Sequence, residues 1–141
     1  MTRQTIPLDQ WNERLKGRFP GLIGMRLLKV EPDEVIGAFD VHEALLAPNG
    51  YLHAGSLVTL ADTCCGCGTM RTLPEGATSF TTIDLSSNFL SSAREGEALC
   101  SATPLHLGGR TQVWDAAVTS SATGRKMAQF RCVQMVLRPK G

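Results

Sequence analysis

One continuous helical stretch in the middle of the chain, from about Ala54 to Met70, constrains the fold more than any other feature of the sequence. Apolar residues recur along it at helical spacing, and no proline interrupts it. Many of its residues are small, and Gly66 and Gly68 would each cost about 1 kcal/mol in a helix interior. We expect close packing to compensate, as it would if a sheet wrapped round this helix.

The segments on either side of the helix predict the rest of an antiparallel α+β domain. Residues 8–17 have the pattern of a short helix. Strands are predicted for residues 21–30, 34–41, 78–90, 97–107, 110–121 and 126–139, because these segments are rich in branched and aromatic residues between turn signals. We expect the last four to be linked by consecutive hairpins. The prediction is one domain, 1–141, with five to six strands round one central helix.

Composition and charge exclude several classes of protein. The chain has 141 residues, 43% of them hydrophobic, which is enough for a packed core. It has 14 Lys and Arg against 13 Asp and Glu and no basic run, so we expect no nucleic-acid partner. No apolar run approaches the roughly 18 residues of a membrane span. The N-terminus lacks a signal-peptide core, which predicts a cytoplasmic location.

Five cysteines are present, and three of them, Cys64, Cys65 and Cys67, lie within one helical turn. The odd number and the crowding argue against a secreted disulfide scaffold, and reduced core thiols are the simplest interpretation. A redox C-x-x-C pair normally opens a helix, whereas this one lies about ten residues inside. A zinc site needs a second pair at matching spacing, and none is present. We therefore predict neither a metal nor a redox cofactor.

Asp62 is an unexpected carboxylate in the middle of this apolar helix. On a wheel of 100° per residue, Asp62 lies about 200° from Leu60 and so points away from the main apolar seam. Its own face presents Val58, Cys65 and Thr69. Asp62 either lies on a solvated surface or is partly desolvated at an interface, where its pKa would rise. A second apolar face predicts that another subunit covers it, and hence a homo-oligomer with sites between subunits.

His53 immediately precedes the helix. A histidine in this position is commonly a cap or a packed side chain. The first helical amides, at Ala54 and Gly55, have no partner inside the helix. Together with the helix dipole, these N–H groups form a natural site for an oxyanion.

Residues 49–63, NGYLHAGSLVTLADT, resemble the hotdog-fold acyl-CoA thioesterases, specifically the phenylacetate-pathway type. The pattern of that family is a His-Gly-Gly opening to the central helix and a catalytic Asp nine positions after the His. His53 and Asp62 have this spacing. The resemblance continues through residues 81–97 and 108–129 and covers roughly residues 20–138.

The resemblance implies a hotdog fold and hydrolysis of a small acyl- or aryl-CoA thioester without a cofactor. Asp62 would be the nucleophile or the general base, and the Ala54 amide would stabilise the oxyanion. Thr82 matches a family Ser or Thr that helps to position water. The resemblance also implies a homodimer, often paired into a dimer of dimers.

Some positions depart from the family pattern or allow two interpretations. Ala54 replaces the first Gly after the His, although its backbone amide can do the same work. Many relatives have Asn or Gln six residues before the His; this chain has Ala47 there, and Asn49 is only four residues before. Arg110 and Thr111 match a region that contacts the nucleotide end of CoA, but Arg110 is equally interpreted as a surface charge beside a hairpin.

Two other functions fit the same fold. One is a non-catalytic acyl-CoA-binding protein, which would use the same surface without turnover. The other is a hotdog dehydratase or hydratase. That family resembles the chain less, because its His and acid belong to a different motif and the Pro-rich loop ahead of its helix is absent.

Overall fold

The computed structural model describes residues 5–140, in which six strands form one antiparallel sheet against a single long helix. This is the hotdog arrangement that the resemblance implies. In chain order the elements are α1 (Leu8–Glu13), α2 (Phe19–Leu22), β1 (Arg26–Glu31), β2 (Glu34–Asp40), a 3-10 turn (Glu43–Leu45), α3 (Ala54–Arg71), β3 (Ser79–Phe89), β4 (Glu97–Leu107), β5 (Thr111–Ser120) and β6 (Lys126–Leu137).

The order of the strands differs from the predicted run of hairpins. The sheet runs β1-β2-β4-β5-β6-β3, so β3 pairs with β6 at one edge and β4 pairs with β2. The prediction of a β3–β4 hairpin is therefore wrong. The burial of the two strands explains this: β4 carries the fully buried Ala98, Cys100 and Ala102 and suits the middle of the sheet, whereas β3 is mostly exposed and suits an edge.

The N-terminal elements are shorter than predicted. The helix predicted for residues 8–17 ends at Glu13, and the strand predicted from residue 21 begins only at Arg26. Residues 19–22 instead form α2, with Pro20 in its first turn, where a missing N–H is tolerated. Gly24 follows with a φ of 81°, which a helix does not accommodate, so the chain turns there into β1. The central helix is confirmed and extends one residue beyond the predicted end.

Small residues let α3 pack closely on the sheet, as expected. A Cβ at Gly68 would overlap the indole of the fully buried Trp114 on β5. On the facing strand β2, a Cβ at Gly37 would lie 2.7 Å from the Sγ of Cys64. Close backbone approach therefore compensates for the poor helix propensity of glycine.

The two edge strands of the sheet, β1 and β3, differ in what lies beside them. At β1 the side chain of Asn12 pairs with the strand backbone: the Leu27 N–H donates to Asn12 Oδ1 at 2.7 Å, and Asn12 Nδ2 donates to the Leu27 carbonyl at 2.9 Å. At β3 the exposed side chains include Ile83, Leu85 and Phe89. An exposed edge strand with apolar side chains is ready to pair with another strand.

Within residues 5–140, no helix is both long enough and apolar enough to span a membrane.

Candidate active site

The side of α3 that faces away from the sheet is narrower than the sequence indicates. Cys65 and Thr69, which the wheel assigns to a second apolar face, are fully buried within the chain. Cys65 contacts Cys132 of β6, because the sheet curls further round the helix than a wheel can show. We call the partly exposed residues on the remaining side the open strip of α3: Val58, Thr59, Asp62, Thr63, Cys67 and Met70.

A cavity of about 270 Å³ lies along the second half of the open strip. We call it the Asp62 cavity, and its lining is mostly apolar. The lining residues include Trp11 from α1, Arg14 directly after it, Asp62, Gly66 and Met70 from α3, and Phe80 from β3. A largely apolar cavity with a few polar groups is the usual form of a small-molecule site.

Asp62 is half-buried in the wall of this cavity, and the hydroxyl of Thr82 on β3 lies 3.4 Å from its Oδ1 atom. Burial raises the pKa of Asp62, and the Thr82 hydroxyl opposes that rise. The net direction is upward. The carboxylate is therefore a stronger base than an exposed aspartate.

Thr82 also contacts a residue that sequence reasoning missed. Its Oγ1 lies 2.6 Å from Oε1 of Gln134, which is fully buried on β6. The Nε2 atom of Gln134 is buried and has no hydrogen-bond partner in the described part of the chain. The signal that would have pointed to Gln134 is its amide at an inward position of β6, between the inward-facing Cys132 and Val136.

The backbone N–H groups at the start of α3 are only partly paired within the described part of the chain. The Gly55 N–H donates to Nδ1 of His53 at 2.9 Å, and the Ser56 N–H donates to the His53 carbonyl at 3.0 Å. His53 therefore caps the helix. For the Ala54 N–H, no acceptor is found within residues 5–140.

A second cavity, of about 410 Å³, lies beside this helix start. We call it the N-terminal cavity; Phe19, Leu45, His53, Gly55 and Thr59 contribute to its lining. Thr59 is one turn before Asp62, so the two cavities follow each other along the same side of α3.

The structure places Thr82 beside Asp62 and His53 beside Gly55, but it does not bring Ala54 and Asp62 together. Eight residues of helix separate them, which is about 12 Å along the axis at 1.5 Å per residue. An oxyanion donor and an attacking group must both lie within about 3–3.5 Å of one carbonyl group. One chain alone therefore cannot present both groups to the same thioester.

Asn49, Arg110 and Thr111 lie away from both cavities. Asn49 is exposed, and its Oδ1 accepts a hydrogen bond from the Tyr51 N–H at 3.1 Å within a turn. Arg110 is exposed in the turn between β4 and β5, and Thr111 begins β5. Arg138, which the sequence did not single out, donates to the Gly109 carbonyl at 2.6 Å and adds a second cation to this turn.

The thiols have the environment of core residues. Contact with Cys100 and burial raise the pKa of Cys64, and contact with Cys132 and burial raise the pKa of Cys65. Burial raises the pKa of Cys67 to about 12. Thiols with raised pKa values are poor nucleophiles and poor metal ligands at neutral pH. Among the described residues, no group of three His, Cys, Asp or Glu side chains is arranged to hold a metal.

Comparison of the sequence with known families and proteins adds independent findings. Residues 49–128 match the family model described as the thioesterase superfamily. A 1,4-dihydroxy-2-naphthoyl-CoA hydrolase from Escherichia coli is 29% identical over 135 residues, which are 96% of this chain and 98% of that protein. The enzyme of the same name from Listeria monocytogenes is 28% identical over 84% of this chain and 94% of its own length.

Solved structures of thioesterases have the same fold. A thioesterase from Haemophilus influenzae superposes with a TM-score of 0.90 at 24% identity, covering 97% of this chain and 94% of its own. A mutant thioesterase from Pseudomonas aeruginosa gives a TM-score of 0.89 at 26% identity, with 96% and 97% coverage.

Proposed function

Because the chain belongs to the thioesterase superfamily, we propose that it hydrolyses the thioester of a small acyl- or aryl-CoA, with Asp62 as the catalytic carboxylate. Water and the thioester give the free acid and the CoA thiol. One observation carries the proposal: a half-buried carboxylate, 3.4 Å from the Thr82 hydroxyl, forms part of the wall of an apolar cavity. The E. coli and Listeria relatives, which bear the name of a CoA thioester hydrolase, support the reaction class.

Asp62 acts in one of two ways on the thioester carbonyl. As a nucleophile, its carboxylate attacks the carbonyl carbon and expels the CoA thiolate, and water then hydrolyses the mixed anhydride. As a general base, it takes a proton from the water molecule that attacks. Partial burial supports both roles, because it raises the pKa of Asp62 and makes the carboxylate a stronger base.

The oxyanion is stabilised by the Ala54 N–H of a second subunit. The separation of about 12 Å within one helix means that the Asp62 and Ala54 of one chain cannot serve the same carbonyl. In a dimer whose two-fold axis is perpendicular to α3, the two helices run in opposite directions side by side. The start of one α3 then lies near the middle of the other, and each site combines groups from both chains.

The exposed edge of β3 is the surface through which the two subunits pair. Antiparallel pairing of β3 with its symmetry mate would cover Ile83, Leu85 and Phe89 and continue the sheet across the dimer. Thr82 lies on the same strand, so pairing at this edge brings the partner helix towards Asp62. Two such dimers would form the tetramer that the resemblance implies.

Gln134 sets the direction of the Thr82 hydroxyl. A hydroxyl has one proton, so Thr82 cannot donate to both Gln134 Oε1 and Asp62 Oδ1. A half-turn of the Gln134 amide gives its buried Nε2 an acceptor, the Thr82 oxygen, and leaves the hydroxyl proton for Asp62. This arrangement gives Nε2 of Gln134 a hydrogen-bond acceptor and holds the carboxylate.

The remaining predicted site residues have supporting roles in the proposal. His53 caps the helix through Gly55 and so keeps the Ala54 N–H available for the substrate. Arg110 and Thr111 bind the nucleotide end of CoA, with Arg138 beside them. Asn49 is held in its own turn by Tyr51, so it shapes the loop ahead of the helix rather than contacting the thioester.

Hybrid dimers test both the chemistry and the composite site. Asp62→Asn removes the carboxylate, and Ala54→Pro removes the backbone donor at a helix position where proline is tolerated. His53, with ψ of 129°, already has the conformation that precedes proline. Each homodimer should be nearly inactive on a panel of aliphatic and aryl CoA thioesters. A hybrid purified through two different tags has one intact site of two and should regain about half of the wild-type kcat.

The same preparations provide the outcomes that contradict the proposal. An inactive hybrid would show that the two groups act within one chain. A wild-type protein that light scattering finds at the 15.2 kDa mass of a monomer would exclude the composite site. Binding of acyl-CoA without turnover by wild type would favour the non-catalytic alternative.

A further inference from the structure

The lining of the Asp62 cavity also contains a cation. Arg14, which directly follows α1, contributes to the lining, and its guanidinium group stacks on the ring of Trp11 with its carbon 4.8 Å from the ring centroid. Trp11 is fixed in the core, with an exposed fraction of only 3%. The stack therefore holds the long Arg14 side chain against a rigid surface beside the cavity.

The charge of Arg14 acts on Cys67, whereas the pKa of Asp62 is set by burial and Thr82, so we place Arg14 towards the Cys67 end of the cavity. The nearby guanidinium lowers the pKa of the Cys67 thiol, although burial has the larger and opposite effect. Cys67 lies five residues after Asp62 on the open strip, which is about 7–8 Å further along the helix axis. The cavity thus has a carboxylate at one end and a positive potential at the other.

The walls between these two ends suit a flat apolar group. Trp11 contributes one aromatic ring and Phe80 another, and Met70 adds a flexible apolar side chain. Gly66 makes room for the Phe80 ring, because a Cβ there would lie 3.0 Å from Phe80 Cζ. The axial rise of about 7–8 Å from Asp62 to Cys67 is comparable to the length of a benzoyl group with a para substituent.

We propose that Arg14 is a specificity-determining residue, which selects acyl groups that carry a carboxylate at the end remote from the thioester. This inference rests on the proposed hydrolysis at Asp62. The guanidinium group has five N–H donors, so it can bind a substrate carboxylate while it keeps its contacts within the protein. The stem of the acyl group lies between Trp11 and Phe80.

The position of the substrate carboxylate matters because Asp62 is also negative. A carboxylate close to the thioester, as in a 2-carboxybenzoyl group or a malonyl group, would lie beside Asp62 and be repelled. A carboxylate in the para position lies at the Arg14 end. Two isomers of equal charge should therefore be hydrolysed at different rates.

The test compares kcat/KM for benzoyl-CoA, 4-carboxybenzoyl-CoA and 2-carboxybenzoyl-CoA. Wild type should prefer the 4-carboxy ester over benzoyl-CoA by about five- to tenfold, a modest factor because Arg14 is exposed and the ion pair is partly screened. The 2-carboxy ester should be the poorest of the three. Arg14→Met should bring the ratio for the 4-carboxy and unsubstituted esters to about 1 or below, and Arg14→Lys should keep part of it.

Arg18→Met is the matched control, since Arg18 is also exposed on the N-terminal segment but is not part of the Asp62 cavity. This variant should keep the wild-type ratio. If Arg18→Met lost the preference for the 4-carboxy ester to the same extent, the preference would come from the overall charge of the protein, and the inference would be overturned. An equal ratio in wild type and Arg14→Met would also overturn it.

Failure of the inference and failure of the proposed function give different results. Turnover of aliphatic CoA thioesters without turnover of any of the three aryl esters would overturn the inference and leave the thioesterase activity standing. No turnover of any CoA thioester would overturn both.

Discussion

The two sides of α3 differ in what they require of their residues. On the covered side, Leu60, Cys64 and Gly68 are buried against the sheet. The Trp114 ring leaves no room for a side chain at Gly68. On the open strip, Asp62 keeps a carboxylate half out of water although burial raises its pKa. The covered side is selected for shape, and the open strip tolerates an unfavourable group.

This difference teaches how one helix can serve both folding and chemistry. A change on the covered side should lower the free energy of unfolding and leave the chemistry intact in the molecules that remain folded. A change on the open strip should alter turnover with little loss of stability. Substitutions of single residues can test whether stability depends on the covered side and turnover on the open strip.

Asp62→Asn should have the largest effect on the open strip. Asparagine keeps the shape but can neither attack a carbonyl nor accept a proton from water, so kcat should fall by about 10²–10⁴, equivalent to about 3–5 kcal/mol. Steady-state kinetics on the best CoA thioester, with circular dichroism as a check of folding, would measure it. A folded variant with more than about a tenth of wild-type kcat would remove Asp62 from the mechanism.

The same variant should gain stability near neutral pH. Burial raises the pKa of Asp62 above its ordinary value of 3.8, so the folded protein holds the proton more tightly than the unfolded chain. The stability that depends on protonation is present below the unfolded pKa and is lost as pH rises through the folded pKa. In urea unfolding at pH 7 the Asn variant should have a higher free energy of unfolding than wild type. This difference between the two proteins should shrink as the pH falls towards about 3.

Gly68→Ala and Gly66→Ala form a matched pair of buried glycines, of which Gly68 packs against the sheet and Gly66 lines the Asp62 cavity. At Gly68 the new methyl group meets the fully buried Trp114, so we expect the free energy of unfolding to fall by about 3 kcal/mol, at the upper end for overpacking. At Gly66 it meets the half-buried Phe80, which can move, and the gain in helix propensity of about 1 kcal/mol offsets the cost.

Urea denaturation of both glycine variants would decide this comparison, and KM for aryl esters would add to it. Gly66→Ala should narrow the Asp62 cavity and raise KM while it leaves stability nearly unchanged. Equal destabilisation by the two alanines would mean that the surroundings of the two glycines are packed alike.

Replacing Cys64 and Cys67 together with alanine should cost about 1–2 kcal/mol of stability, mostly from the fully buried Cys64. Turnover per folded molecule should survive, both in this variant and in wild type treated with a chelator and a reductant. Loss of kcat in a folded variant, or one equivalent of bound zinc in wild type, would restore the thiols as functional groups.

Thr82→Val should have the smallest effect. Thr82 lowers the pKa of Asp62, so its removal should move the acid limb of the pH profile of kcat/KM to higher pH, whereas Thr82→Ser should keep the wild-type profile. An unchanged profile in the Val variant would mean that the Thr82 hydroxyl donates to Gln134 and leaves Asp62 unsupported.

The sequence predicts the local elements well because their signals are local. The period of the apolar residues gives α3 almost to its ends, and the strand at 97–107 is found at those bounds. The position of β3 was not predictable in this way, since its neighbour β6 lies nearly forty residues later and pairing depends on burial across the whole sheet. The wheel likewise could not show how far the sheet covers Cys65.

In the candidate site, too, the sequence shows what depends on neighbouring residues but not what depends on contacts between distant segments. The spacing of His53 and Asp62 in the sequence indicates how far apart they lie along the helix. The structure confirms that α3 is continuous from Ala54 to beyond Asp62, so these two residues lie too far apart to reach the same carbonyl group. Gln134 and Arg14 were missed because each meets α3 or β3 from an element distant in sequence. Chemical groups that come together only in the folded chain have no short motif.

The closure of β1 by Asn12 has a consequence for assembly. A sheet with two exposed edges can add copies at both and grow into a fibre, as cross-β aggregates do. The side-chain amide of Asn12 occupies both backbone groups of Leu27, so this position of β1 offers neither a donor nor an acceptor to another strand. In the part of the chain that the structure describes, β3 is then the better edge for pairing, and the proposed β3 contact favours a finite pair of copies over an edge-to-edge polymer.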